Sequence, residues 1–311
     1  INEGIGKPGL TGGLIGFSSG DAVIELSNVY NTNIINNTPQ GITGGIVGMM
    51  NYAKYTSGTV VKTLNISNVS IENCENISGK NHVGGVLGFG KIIAKDITIS
   101  DNTIKGLGEN GDIGGIVGNS LVESIIDKAT ITNTNISGEF RAGGICGYNE
   151  AKITNSNISN SAIKATNSEA GGIVGNVSIE SATIKDCNVD KTEISNVNGS
   201  IGGIAGLAKV IVDNCYVSNS SITATGESST GVGGIVGSGG ENIAIKNSTV
   251  ENNTLSGADE VGDIIGTPNI EPEDCIVKTL NNSNEGSQVT LTSMQNESIE
   301  TNIENNTNNN E

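Results

Sequence analysis

The chain has 311 residues, a net charge of −17, 45 glycines and no tryptophan, with only 35% hydrophobic and 3% aromatic residues. That is too little apolar bulk for one three-dimensional core of this size, and it favours a quasi-linear stack in which each layer fills only its own cross-section. The charge argues against nucleic acid and anionic membrane surfaces, whose phosphates need Lys and Arg, and no apolar run is long enough for a helical membrane span.

The opening segment, INEGIGKPGL, has neither an initiator Met nor a signal peptide and reads as a mature chain or a piece of something longer. From residue 12 a five-residue motif recurs: GGLIG at 12–16, GGIVG at 44–48, GGVLG at 84–88, GGIVG at 114–118, GGICG at 143–147, GGIVG at 171–175, GGIAG at 202–206, GGIVG at 233–237 and a worn GDIIG at 262–266. Starts 28 to 40 residues apart, mostly near 30, define a repeat architecture.

A second signature lies between the glycine motifs, an apolar residue, then Asn or Asp, then a small polar residue or Cys, then Ile or Val. Examples are VYNTNI at 29–34, ISDNTI at 99–104, ITNSNI at 153–158 and VDNCYV at 212–217. Period-2 alternation of β-branched residues leading into it marks strands. The two apolar positions are five apart, so an unbroken strand would put them on opposite faces. If both point inward the chain bends between them, at the Asn or Asp, the non-Gly types that best tolerate left-handed backbone angles. The glycine pair is expected to supply angles closed to other residues at another corner.

Each repeat thus reads as strand, Asn corner, strand, loop and a third strand at the glycine motif. The predicted fold is all-β, a parallel and right-handed β-helix of nine coils over residues 1–280, with coils about 4.8 Å apart. Residues 281–311, rich in Asn and Glu and free of Lys, Arg and aromatics, are expected to be a disordered tail or linker.

Over about residues 11–277 the glycine copies, each with its Asn signature, resemble the GLUG-motif repeats of bacterial surface and secreted proteins. These occur in adhesin-like β-helical proteins and in non-catalytic regions of IgA1-specific zinc metallopeptidases. The peptidase relatives carry a His-Glu-x-x-His zinc site that nothing here matches, since His82 is the only histidine. The resemblance implies an extracellular or cell-surface location.

Candidate chemistry is sparse. His82, just before a glycine corner, reads as a loop or corner histidine, and no metal or cofactor site is expected. Cys74, Cys187, Cys215 and Cys275 follow the corner Asn or Asp, where other coils place Thr32, Asn102, Thr134, Ser156 and Ser248, so free buried thiols are expected. Asp101, Asp186 and Asp274 read as one structural column of turn residues. No catalytic residues emerge, and a sugar-cleaving groove is hard to build with one arginine, Arg141, and no tryptophan. The densest amphipathic set is Tyr52, Lys54 and Tyr55, early in the insertion 49–68, which makes that loop the candidate ligand contact. The expected function is a non-catalytic scaffold whose partner is a host or neighbouring-cell surface protein or glycan, with no nucleic acid and no membrane insertion. The alternative, which the resemblance implies, is an accessory β-helical module of a larger secreted enzyme, a zinc metallopeptidase whose catalytic domain is absent here.

Overall fold

A computed structural model describes residues 9–282, apart from 56–57, 178, 180, 227, 258–259, 268–269 and 279–280. Parallel strands stack into a β-solenoid with nine strand levels and therefore eight turns, and no helix occurs among the described residues. Sheet 1 has nine strands, from Leu10–Gly12 to Val261–Gly262, each ending on the first Gly of the motif. Sheet 2 begins at the motif's fourth residue, as in Val47–Met50 and Cys146–Asn149. Sheet 3 is a pair of short strands in most coils, such as Lys152–Thr154 and Asn157–Ser159, and sheet 4 follows, as in Ala162–Ala165. In the third coil sheets 2 and 3 run together in one strand, Leu87–Ser100.

Apolar columns fill the interior. Ile77, Ile104, Ile136, Ile163, Ile194 and Ile222 stack in register through sheet 4, each at most 1% exposed. Burying one such side chain is worth about 1.5–3 kcal/mol, and the column repeats that gain at every level.

Through the first eight coils the chain bends twice on the Asn side, where the sequence pattern suggested one corner. In the fifth coil Asn155 (φ 51°) and Asn160 (φ 48°) both adopt the left-handed conformation. The cause is a tandem pentad, Ile153-Thr-Asn-Ser-Asn and Ile158-Ser-Asn-Ser-Ala, closed by Ile163. Every fifth residue turns inward because a left-handed residue resets the alternation. Ile126 pairs with Ile153 and Ile131 with Ile158, so Asn155 stacks on Lys128 and Asn160 on Asn133. The nine signature copies therefore belong to two columns. Asn31, Asn73, Asp101 and Asn133 occupy the second corner, whereas Asn155, Asp186, Asn214, Asn247 and Asp274 occupy the first. Asp101 does not share a column with Asp186 and Asp274, nor Cys74 with Cys187, Cys215 and Cys275.

Where the residue after a corner is polar and buried, it can tie neighbouring coils together. Ser156 Oγ donates to its own Thr154 carbonyl at 2.8 Å and accepts the Ala129 N–H at 3.1 Å. Asn102 does more: its amide donates to Ile71 O and its Oδ1 accepts the Cys74 N–H, each at 2.7 Å. Cysteines take the same place with a weaker donor, as Cys187 Sγ does toward Lys185 O at 3.3 Å. All five cysteines are buried free thiols, and burial pushes those at 74, 146, 215 and 275 up, with a contact from Cys187 leading at Cys215.

The glycine corner has a different cause from the one its composition suggested. No glycine of the motif has a positive φ; Gly90, Gly199 and Gly257 do. What excludes a side chain is close approach. A Cβ on Gly171 would lie 2.0 Å from its own coil's Val174 carbonyl oxygen, and one on Gly172 would lie 2.0 Å from Gly203 O of the next coil.

The insertion after Met50 forms an antiparallel hairpin, Tyr52–Tyr55 with Gly58–Val61. At the far end Asn281–Asn282 still pairs with Thr254–Ser256, so sheet 4 enters the stretch expected as tail. Residues 283–311 lie outside the described residues.

Candidate binding face

Two columns of unlike residues meet where the chain turns through the glycine motif. One holds the residue two before the first Gly, the other the residue one after the last. In successive coils these pairs are His82 and Phe89, Asp112 and Asn119, Arg141 and Tyr148, Glu169 and Asn176. Strand register stacks Val83, Ile113, Ala142 and Ala170, which places the four preceding residues, His82, Asp112, Arg141 and Glu169, in one rail.

The rail is a connected network. Asp112, with its side chain 3% exposed, accepts from Arg141 Nη1 at 3.2 Å and from Asn119 Nδ2 at 2.8 Å. Its other side meets His82 Nδ1 at 3.1 Å. Arg141 Nε lies 3.5 Å from Glu169 Oε2, which also accepts the Ser168 hydroxyl. Burying the oxygens of a carboxyl group this deeply is costly unless they are hydrogen-bonded, and Arg141 and Asn119 supply donors.

Rings are laid against the rail. His82 stacks on Phe89 with centroids 5.4 Å apart, and Arg141 lies over Phe140 at 4.5 Å and Tyr148 at 4.8 Å. Tyr52, at the base of the hairpin and 41% exposed, meets Phe89 edge-on at 6.2 Å. Tyr52 thus joins the same face as His82. The backbone of Lys54 pairs with Thr59 and that of Tyr55 with Gly58, while their side chains lie outside the described residues.

His82, expected as a loop or corner residue, lies just before the strand Val83–Gly84 and is also part of the rail. The sequence signal for Asp112, Arg141, Glu169, Phe89 and Tyr148 as a set lies in the flanks of the repeated motif. HVGGVLGF, DIGGIVGN, RAGGICGY and EAGGIVGN alternate a His or Arg and a ring with an acid and an amide. The rail charges are paired with one another, so the face offers a ligand ring surface and amide groups more than free charge. Among the described residues no group of three or more His, Cys, Asp or Glu could hold a metal ion.

No family model matches the chain, and no curated protein sequence matches it. Among solved structures it is similar to a Bacteroides ovatus protein named as a candidate immunoglobulin A1 protease, solved at 1.30 Å. The TM-score is 0.50 at 19% identity, over 76% of this chain and 83% of that one. Identity this low carries the shared fold and nothing finer.

Proposed function

We propose that the chain is a non-catalytic β-solenoid scaffold of a secreted or cell-surface bacterial protein, of the GLUG-repeat kind, that binds its partner through the rail-and-ring face. One observation carries the reading. Repeated positions serve the coil itself, while the only histidine and the only arginine sit two levels apart on one face with Tyr52, Phe89, Phe140 and Tyr148. Unlike residues gathered at one place on a rigid frame are what recognition requires. Labelled chain should be retained on epithelial or bacterial cell surfaces, and the retention should fall with Phe89→Ala or Tyr148→Ala but not with Tyr216→Ala on sheet 3. Retention indifferent to all three would sink the assignment of the face. Incubation with immunoglobulin or polysaccharide, with or without zinc or calcium, should give no cleavage; metal-dependent cleavage abolished by one Asp or Glu change would make the chain an enzyme.

A second reading, an accessory module of a larger secreted peptidase, draws support from the name of the Bacteroides ovatus neighbour. The flanking coding sequence separates the two. A wall anchor or further repeats favours the scaffold, a His-Glu-x-x-His segment the module.

A further inference from the structure

We propose that the face takes a linear, neutral, β-linked glycan lying along the rod; this rests on the binding-scaffold reading above. The track beside the rail is a single column in register, Phe17, Met49, Phe89, Asn119, Tyr148 and Asn176. Its rings stand on the first, third and fifth coils, two strand spacings apart, about 9.6 Å for a spacing of about 4.8 Å. Short amides occupy the fourth and sixth coils. From the third coil to the sixth, rings thus alternate with shorter hydrogen-bonding amides along a straight line, while Met49 stands between the first two rings.

An extended β-linked glycan has the complementary pattern. Alternate sugars present the same face, the disaccharide repeat is close to two strand spacings, and the hydroxyls fall between. Sugar C–H faces pack on aromatic rings, and hydroxyls bond amides. Asn176, 9% exposed, continues the column with an amide whose buried Oδ1 has no hydrogen-bond partner.

Other polymers fit less well. A polyanion needs unpaired cations, but Arg141 is held by Asp112 and approached by Glu169, in a chain of net charge −17. A protein partner needs a broad apolar centre, whereas this column is one residue wide with charges beside it.

The test is titration calorimetry on the full chain with three probes, the β-1,4-linked hexasaccharides of glucose and of N-acetylglucosamine and the α-1,4-linked hexasaccharide of glucose. At least one β-linked probe should bind, its disaccharide about tenfold or more weakly, and the α-linked probe, which coils, not at all. Tyr148→Ala and Phe89→Ala should each weaken binding about tenfold. Phe17→Ser, at a ring 45% exposed on the first coil, carries the same test should the other variants lose their fold. Tyr216→Ala should bind as wild type. No β-linked binding at millimolar concentration, or binding that survives loss of the rings, overturns the proposal. Cell retention that still depends on Phe89 and Tyr148 without glycan binding overturns the glycan class and leaves the scaffold reading standing.

Discussion

The two kinds of corner in each coil look alike in sequence, small or polar residues repeated at fixed places, yet they obey different physics. At the Asx corners the constraint is the backbone angle, and a side chain is welcome. Asn155 donates to Asp127 at 2.7 Å, Asn214 to Asp186 at 2.6 Å and Asn247 to Asp213 at 2.8 Å, tying neighbouring coils on the outside. The position also admits Leu26, Lys128 and Lys191 at positive φ, a strain of about 1–2 kcal/mol each. At the glycine corner the constraint is contact, because each second Gly abuts the carbonyl of its counterpart one coil on. The exception follows the same rule. The second residue of the ninth motif is Asp263, and Gly234 abuts its carbonyl, but no coil beyond it abuts Asp263 among the described residues. Angle-limited sites vary chemically; contact-limited sites do not vary until the stack ends.

The largest expected effect separates those two limits. Gly172→Ala puts a methyl 2.0 Å from Gly203 O and 2.9 Å from Val189 Cγ2, both fixed by packing. It should cost at least about 4 kcal/mol or prevent folding. Asp263→Ala, at the equivalent place in the last coil, should cost nothing and remove a half-buried carboxyl. Denaturant midpoints decide: Gly172→Ala melting like wild type would refute the close-approach account.

Next is the inner polar column. Asn102→Ala leaves the buried Cys74 N–H and Ile71 carbonyl without their partner and should cost about 3 kcal/mol. Asn102→Ser should recover part of it, since a hydroxyl serves at Ser156. Equal stability of all three would mean that water replaces the side chain.

The period, the strands and the solenoid were legible because a stack of like coils must repeat its apolar and glycine positions. The second Asx corner was missed for a specific reason. Two similar pentads run in tandem, and a pattern with one bend per coil fits the second in some coils and the first in others, so Asn133 and Asn155 look equivalent in sequence. The glycine pair misled because glycine has two uses, left-handed angles and close approach, and sequence does not distinguish them. The binding face was hidden by its position. His82 and Phe89 are seven residues apart across a motif that draws the eye to its constant centre, while the information lies in its variable flanks.

A smaller effect tests the angle limit. Lys128→Asn should stabilise by about 1 kcal/mol, as a left-handed site regains a tolerant residue. Asn155→Val should cost about 1–3 kcal/mol through strain and the lost bond to Asp127, and Asn155→Gly less. The same Val change at Asn305 should do nothing. No difference between Val and Gly at 155 would remove backbone strain from the account.

The smallest effect is in the pH dependence, where the two corners should differ in sign. Beside the first Asx corner, Asp213 accepts from Asn247 Nδ2 and pairs with Lys185 Nζ at 2.9 Å, and these donors, Asn247 first, hold its carboxyl below the ordinary 3.8. A depressed carboxyl contributes stability that is full above its unfolded pKa and is lost as pH falls through the folded value. The gain is modest because a side chain 20% exposed beside a lysine 51% exposed is screened by solvent and salt. At the glycine corner, burial pushes Asp263 up from 3.8. Its ionised form is the disfavoured one, so it weakens the fold at neutral pH, and protonation relieves this as pH falls through the raised pKa. Urea midpoints from about pH 3 to pH 7 resolve the pair. Asn247→Ala should lower stability near neutrality and flatten its fall in acid, because Asp213 then titrates nearer its ordinary value. Asp263→Asn should raise the neutral-pH midpoint and make little difference in acid. Parallel pH curves for both variants and wild type would show that neither carboxyl changes its proton affinity on folding, and that the corners differ in geometry alone.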